Sequence, residues 1–330
     1  MAFPSTTSVS SGRLRTPRHV PVAETTRGGL VECVHYGSAV ATSPDGTPSL
    51  VIGEPEAPVY PRSSLKPLQA VAMVRAGLSL PADLLALSAS SHSGAAEHQD
   101  GAARILATYG LDESALENTP DLPYGAAERE RWLSSGHPPT RLAQNCSGKH
   151  AAMAATCVVN GWPVAGYLDP AHPLQRLVED TLTELVGEEP FAVSTDGCGT
   201  PLFAYSLTAM ARAYGRLAAA AADTPEGAVA AAMRAHPGMV AGDRRDVTVL
   251  MRAVPGLLAK DGAEAVQVVG LPDGRGVAVK IADGGDRARM PVTVRVLREL
   301  GFGARSLDGL ATSPVLGGGR PVGLVRAAEA

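Results

Sequence analysis

The sequence has no apolar run that approaches the roughly 20 residues of a membrane helix, and residues 1–28 hold no apolar signal core. It also has no long basic run, and its formal net charge is -4. Proteins that bind nucleic acid or an anionic membrane surface usually carry a basic patch, so neither kind of partner is indicated. We therefore expect a cytoplasmic protein that acts on a small molecule.

Cysteines and aromatic residues are scarce. The four cysteines include no CxxC pair, which argues against a disulfide framework in so long a chain. No HExxH motif, nucleotide-binding glycine loop or GxSxG elbow is present, which argues against those chemistries. With 45% hydrophobic and 19% charged residues, 36 glycines and 4% aromatics, the composition is typical of a turn-rich globular protein with an aliphatic core.

Strand patterns stand at both ends of the chain and helical patterns in the middle. Two β-rich runs flank a Ser-Pro-Asp-Gly turn within residues 29–53, a similar pattern surrounds Pro-Asp-Gly at 272–274, and a short run, PVGLVRA, closes the chain. Residues from about 64 to 260 are mainly helical in pattern. We predict an α+β fold in which both chain ends contribute to one antiparallel sheet.

Two other segments need separate predictions. Residues 1–26 are rich in serine, threonine and arginine; they can resemble an organellar transit peptide, but they contain no convincing amphipathic helix, and we predict a disordered tail. Residues 27–330 would then form a single unit. The proline-rich stretch 119–140 is either a lid or, more commonly for such a segment, a surface connection.

A serine and a lysine stand three residues apart in RSSLKPLQA, at Ser63 and Lys66. Pro67 lacks an amide N–H, so a helix is expected to begin near Ser63 or Ser64, with the serine and lysine side chains on one face. The positive end of the helix dipole lowers a lysine pKa and favours a forming alkoxide, which suits a nucleophilic serine. The alternative is a serine cap beside an exposed lysine.

Two further motifs place polar groups at the ends of apolar runs. LLALSASSHSG gathers several hydroxyls, including those of Ser91 and Ser93, and GVAVKIADGG carries Lys280 after an alternating strand. A lysine at the end of a late strand is the third part expected of penicillin-recognising serine enzymes. Alone, each motif also fits an ordinary position in a fold.

Two cysteine motifs, QNCSGKHAAM and STDGCGTP, contain candidate metal ligands. Cys146 and Lys149 fall at a helix start, and Asp196 and Cys198 fall in a glycine-rich turn. Two thiolates and a carboxylate can hold zinc, but two distant cysteines are not a metal motif by themselves. His150 is either a further ligand or part of the helix surface.

Taken together and in order, six motifs resemble the rhizobial-type (class 3) L-asparaginases, also labelled L-asparaginase II: RGGLVECVHYGS, RSSLKPLQA, SASSHSG, NCSGKHAAM, DGCGTP and VAVKIADG. The resemblance runs from about residue 27 to the end. It implies a serine-dependent amidohydrolase, a fold similar to the serine β-lactamase and glutaminase group, and a homodimer.

The resemblance also implies two Ser-Lys pairs. Ser63 and Lys66 match the first, and Ser91 and Lys280 match the second. After the SHSG motif this chain has two alanines where the family commonly has an acidic residue. The choice between Ser91 and Ser93 as the second catalytic serine therefore stays open.

A zinc site is implied as well, with Cys146, Lys149 and Cys198 as ligands and Asp196 beside the metal. A lysine can ligate zinc only as a neutral amine. Because a serine already supplies the nucleophile, we expect the zinc to be structural or to orient the substrate.

The expected reaction is hydrolysis of L-asparagine to L-aspartate and ammonia through an acyl-enzyme. The substrate would be bound by Asp196 at its α-amine, by Arg289 at its α-carboxylate and by Ser93 as a further polar contact. Two alternatives remain: a related SxxK acyl-hydrolase, such as a glutaminase, β-lactamase or peptidase, and a noncatalytic, zinc-stabilised amino-acid-binding protein.

Overall fold

The computed structural model describes residues 15–303 and 305–328. Its strands are β1 (Val20–Arg27), β2 (Leu30–Thr42), β3 (Pro48–Ile52), β4 (Ala192–Thr195), β5 (Pro201–Ala204), β6 (Leu258–Gly262), β7 (Val266–Gly270), β8 (Gly276–Ile281), β9 (Thr312–Gly317) and β10 (Arg320–Ala327). Over this part of the chain, eight strands form one sheet in the order β6-β7-β8-β2-β1-β10-β9, with β3 paired to β2. All pairings in that sheet are antiparallel, and β4 and β5 form a separate hairpin.

Most of the helices lie between the two groups of strands. They are α1 (Lys66–Arg75), α2 (Ala82–Ser88), α3 (Ala96–Thr108), α4 (Ala126–Ser134), α5 (Ser147–Val159), α6 (Pro173–Val186), α7 (Leu207–Ala219), α8 (Pro225–Ala235), α9 (Pro237–Val240), α10 (Asp246–Ala253), α11 (Arg289–Glu299) and α12 (Asp308–Ala311). Short 3₁₀ turns occur at Arg62–Leu65, Glu113–Ala115, Asp286–Ala288 and Arg305–Leu307.

Turn chemistry sets both hairpins that the sequence predicts. Between β2 and β3, Asp45 Oδ1 accepts a hydrogen bond from the Thr47 amide over 3.0 Å. Between β7 and β8, Asp273 Oδ1 accepts one from the Arg275 amide over 3.1 Å. Such local side-chain bonds favour a turn over continued strand, and both hairpin predictions are confirmed.

Helices α7 and α11 pack against β7 and β8, whose residues are almost all buried. The approach of α7 is close: a Cβ built on Gly276 would lie 1.8 Å from the Ala211 carbonyl oxygen. Only glycine fits there. One hydrophobic cluster includes residues of the sheet and of the helices, so the middle of the chain is packed onto the sheet from its two ends.

The α+β prediction, with one antiparallel sheet from both chain ends and a mainly helical middle, is confirmed. The predicted disordered tail, residues 1–26, is wrong at its end, because Val20–Arg27 is a strand that pairs with both β2 and β10. Residues 1–14 of that tail lie outside the described residues. In the described part of the chain, no helix combines the length and apolarity needed to cross a bilayer.

Candidate active site

The SxxK motif forms the junction between a 3₁₀ turn and α1. Arg62–Leu65 is the turn, and α1 begins at Lys66 with proline in its first turn, close to the predicted helix start. Ser63 is half-buried. The Lys66 side chain is only 1% exposed, so the alternative of a solvated lysine is wrong.

The Lys66 amine lies among three acceptors. Nζ donates to the Ser90 carbonyl oxygen at 2.7 Å and to Ser91 Oγ at 3.0 Å, and it lies 3.0 Å from Cys146 Sγ. Within the described residues, Ser63 Oγ makes no hydrogen bond, although Ser63 stands only three positions before Lys66. The hydroxyl of Ser63 is therefore available to a substrate.

Of the two candidate second serines, only Ser91 contacts this lysine. Ser93 Oγ instead donates to the Ala241 carbonyl oxygen over 2.8 Å. Both serines are at least nine-tenths buried. The geometry therefore favours Ser91 for chemistry and gives Ser93 a structural bond.

The predicted pair of Ser91 with Lys280 is not formed. Lys280 Nζ donates to the carbonyl oxygens of Glu264 and Ile281, at 2.5 and 2.6 Å. Lys280 lines a cleft of about 490 Å³, together with Arg62 and Thr195. Because strand β8 directs Lys280 into this cleft, its amine and the Ser91 hydroxyl make no hydrogen bond, and Ser91 bonds to Lys66 instead.

A second buried lysine, Lys260, was missed by the sequence reasoning. Its Nζ donates to Asp261 Oδ1 at 2.6 Å, and burial lowers the pKa of Lys260 to about 8, with Lys66 and Arg245 adding like-charge repulsion. Strand β6 presses on the turn that carries Ser63, since a Cβ on Gly262 would lie 2.2 Å from the Pro61 carbonyl oxygen. The sequence signal was a Lys-Asp pair directly after the apolar run GLLA.

A cluster of two thiols and an amine lies next to Lys66. Cys146 caps α5 and Cys198 lies in the turn between β4 and β5; both are buried. Lys149 Nζ is 3.3 Å from Cys198 Sγ and 2.9 Å from Thr200 Oγ1. A hydrogen bond from Cys146 and the charge of Lys149 hold the pKa of Cys198 well below its usual value, whereas the same bond raises the pKa of Cys146.

These residues fit the zinc that the family resemblance implies. Two sulfurs and one amine nitrogen form a donor set that suits zinc, and the buried His150 Nε2 beside them has no hydrogen-bond partner in the described structure. Among the described residues, no group of three or more His, Cys, Asp or Glu side chains is placed to hold a metal. A zinc site here would therefore need Lys149 as its third ligand. Burial by itself favours a neutral Lys149, but nearby negative charge, above all that of Cys198, outweighs burial, and the net effect is a raised pKa of Lys149. The lysine is therefore protonated before it binds zinc, and ligation would release that proton.

Asp196 is held between Ser63 and the thiols. Arg62 Nη2 lies 2.8 Å from Asp196 Oδ1, and Cys198 Sγ lies 4.0 Å from Asp196 Oδ2. Arg62 itself has φ 55, a left-handed backbone that a non-glycine residue rarely adopts. Strain of this kind, at the residue before the candidate nucleophile, is typical of a functional site.

Arg289 is buried and fully paired. Its guanidinium is 2% exposed and bonds to Asp246 Oδ2 and Asp286 Oδ1, each at 2.8 Å, and to the Gln267 side chain. All three nitrogens are therefore occupied within the protein. The geometry does not support the predicted contact of Arg289 with a substrate carboxylate.

The stretch 119–140 is ordered and tied to the serine motif. Asp121 and Thr140 exchange two backbone hydrogen bonds of 3.1 Å, and the Gly125 amide donates to the Ser93 carbonyl oxygen over 2.9 Å. Helix α4 lies within the stretch. The stretch 119–140 therefore lies against the serine motif. Its role as a lid or as a surface connection stays a prediction.

The chain matches one protein family along most of its length. The family model described as L-asparaginase II matches residues 23–327. Among solved structures, a β-lactamase from Mycobacterium bovis is 16% identical, covering 80% of this chain and 94% of its own, with a TM-score of 0.38. A protein named Mglu is 14% identical, covering 86% of this chain and 72% of its own, with a TM-score of 0.36. No curated protein matches the sequence.

Proposed function

The chain belongs to the L-asparaginase II family, which makes it a hydrolase, and we propose that it hydrolyses L-asparagine to L-aspartate and ammonia through an acyl-enzyme on Ser63. The observation that carries this proposal is the pairing of a half-buried, unbonded Ser63 hydroxyl with a fully buried Lys66 one turn away. A lysine amine one turn from a serine hydroxyl can serve as its base. A serine acyl-transfer site needs this combination.

In the proposed first step, neutral Lys66 takes the proton of Ser63 as Oγ attacks the side-chain amide carbon. The tetrahedral intermediate then expels ammonia as the proton passes to the leaving nitrogen, which leaves an ester between Ser63 and the aspartyl group. Water, deprotonated by the same base, attacks the ester and releases L-aspartate. The N-terminal end of α1 directly follows the turn that carries Ser63, and its dipole would favour negative charge on the reacting oxygen.

A proton relay through Ser91 fits these contacts. Ser91 Oγ accepts a hydrogen bond from Lys66 Nζ at 3.0 Å and can carry a proton between that amine and the leaving group. The family resemblance pairs Ser91 with Lys280, but Lys280 bonds to two carbonyl oxygens at the cleft. We therefore assign the role of second lysine to Lys260, since its pKa of about 8 lets it exchange protons near neutrality.

Cys146, Lys149 and Cys198 would hold the implied zinc. When bound, this ion would supply a fixed positive charge that orients the substrate and stabilises the local structure. Asp196, with one oxygen on Arg62, is the candidate partner of the substrate α-amine. We further propose that the enzyme is a homodimer, from the family resemblance alone, and that it is cytoplasmic, as expected from the sequence.

The decisive experiment is ammonia release from L-asparagine at mildly alkaline pH, with zinc-loaded protein and its Ser63→Ala variant. We expect release by the parent and a loss of about 10³-fold or more in the variant. Ser64→Ala is the matched control, since its hydroxyl only bonds the Pro61 carbonyl oxygen over 2.7 Å, and it should keep turnover.

The rival functions predict other results. A glutaminase would prefer L-glutamine, and a β-lactamase or peptidase-like enzyme would turn over a chromogenic β-lactam or an ester through Ser63. A noncatalytic amino-acid-binding protein would release no ammonia and would be stabilised thermally by L-asparagine even as Ser63→Ala. Parental activity in a folded Ser63→Ala protein would exclude the nucleophile.

A further inference from the structure

Arg245 carries a buried nitrogen that the protein leaves without a partner. One arm of its guanidinium, Nη2, lies 2.6 Å from Asp261 Oδ2. The other arm, Nη1, is buried and makes no hydrogen bond within the described residues. An unpaired buried donor of this kind is destabilising, and more so when it is charged, unless a ligand completes it.

The loop that holds Arg245 runs along the serine motif of the candidate site. The Ser91 amide donates to the Val240 carbonyl oxygen at 3.0 Å, and Ser93 Oγ donates to Ala241. At Gly242, φ is +129, and a Cβ there would lie 2.3 Å from Ser93 Oγ. The chain is thus pressed against Ser91–Ser93 just before it reaches Arg245.

Tyr124, from the stretch 119–140, covers one face of the same guanidinium. The Arg245 Cζ atom lies 4.6 Å from the centre of the Tyr124 ring, which is within cation–π range. The ring shields Arg245 from water on that face. The guanidinium is therefore both oriented, by Asp261, and partly desolvated, by Tyr124.

Arg245 shares its carboxylate with a lysine. Asp261 contacts both Lys260 and Arg245, at 2.6 Å in each case, so only one arm of the guanidinium is held by a carboxylate. An arginine with one arm on a carboxylate and the other free presents a donor to a second carboxylate. The free arm of Arg245 therefore favours an anionic ligand.

We propose that Arg245 binds the α-carboxylate of the amino-acid substrate through Nη1 and thereby selects free amino acids over amides that lack an α-carboxylate. This inference rests on the proposed asparaginase function. The sequence analysis predicted that Arg289 binds this carboxylate, but all nitrogens of Arg289 are paired within the protein. We assign that contact to Arg245 instead. Tyr124 makes the contact selective, because it excludes water that would otherwise solvate the carboxylate.

The test compares two substrates and two variants. L-asparagine and 3-aminopropanamide share the amide and the amine, but the second lacks the carboxylate. Arg245→Gln removes the proposed contact, and Arg244→Gln removes one positive charge from the adjacent, exposed residue. Thermal unfolding and circular dichroism report whether each variant is folded.

We expect Arg245→Gln to raise KM for L-asparagine about 10- to 100-fold, the range for a lost charged hydrogen bond, with kcat nearly unchanged. Its kcat/KM for 3-aminopropanamide should stay within about threefold of the parent, and Arg244→Gln should change neither substrate. Equal losses on both substrates, or an unchanged KM for L-asparagine, would overturn the proposal. If Arg245→Gln does not fold, Arg245→Lys, which keeps a cation for Asp261, is subjected to the same comparison.

A failure of the asparaginase proposal can be distinguished from a failure of this one. If the parent releases no ammonia, calorimetry compares the binding of L-aspartate with that of 3-aminopropanoic acid, which has no α-carboxylate. Tighter binding of L-aspartate that disappears in Arg245→Gln supports the carboxylate contact without turnover. Equal affinity of both ligands for the parent refutes it.

Discussion

The amine of Lys66 donates a hydrogen bond of 3.0 Å to the hydroxyl of Ser91. These two residues come from motifs 25 positions apart in the chain, and the family resemblance assigns them to different Ser-Lys pairs. In the fold they are hydrogen-bonded to each other, and Ser63 lies in the turn that leads into the helix of Lys66. We propose that this single amine serves both hydroxyls.

This arrangement predicts different roles for two neighbouring serines. Ser91→Ala should lower kcat about 10²- to 10³-fold, because a proton-transfer group is lost. Ser93→Ala removes a buried bond to Ala241 and should lower the free energy of unfolding by about 1 kcal/mol, with kcat nearly unchanged. Steady-state kinetics and urea unfolding on both variants check this; a larger kinetic defect in Ser93→Ala would reverse the assignment.

Lys260 predicts a pH dependence of stability. Burial lowers its pKa from 10.5 to about 8, so between these values the unfolded chain binds more protons than the folded protein. Stability due to this group must then rise with pH across that window, by about 3 kcal/mol in total. Urea unfolding between pH 7.5 and 9.5 should show a rise that is absent in Lys260→Met; the same slope in both proteins would contradict the lowered pKa.

The same pKa predicts a rising limb in activity. If Lys260 acts as a base in its neutral form, kcat should increase as pH passes through about 8. Lys260→Met should lose this limb and most of its activity. Lys280→Met is the control, because it removes a different lysine, at the cleft. This variant should change KM but should leave the pH at which kcat rises unchanged.

Loss of zinc should affect binding more than chemistry. Cys198→Ser removes one of the three proposed ligands, and metal analysis should then find less than one zinc per chain. Because Ser63 supplies the nucleophile, KM for L-asparagine should rise more than kcat falls. A complete loss of turnover with unchanged substrate binding would instead make the metal catalytic.

Arg289 should behave as a structural residue. Arg289→Met leaves Asp246 and Asp286 without their partner and should lower the free energy of unfolding by about 2–4 kcal/mol, toward the lower end of the range for buried pairs because both carboxylates are partly exposed. KM of the folded protein should not change. A KM effect like that predicted for Arg245→Gln would place the carboxylate at Arg289 after all.

The features that were predictable from the sequence depend on short-range chemistry. The hairpins follow from Asp45 and Asp273 in their turns, and the placement of Ser63 and Lys66 on one turn follows from Pro67. Such signals act over a few residues. They do not depend on which strands become neighbours.

The features that the sequence did not indicate depend on strand order and register. Lys260 and Lys280 both follow apolar residues, and only the pairing of β6, β7 and β8 decides which amine is buried close to Lys66. Arg245 and Arg289 differ in the same way, since both lie near Asp261 but only one retains an unpaired nitrogen. The strand β1 was missed because its polar residues gain stability from partners at both ends of the chain.

The pairing of β1 with β10 also affects when the protein can fold. Glu24 stands opposite Arg326 in that ladder, 302 positions later in the sequence, so one edge of β1 has no partner until β10 has been synthesised. Until then, a nascent chain on the ribosome would carry an open strand edge and incompletely covered helices. The sheet closes only after β10 has emerged, and truncation before Val325 would leave the β1 edge unpaired in every molecule.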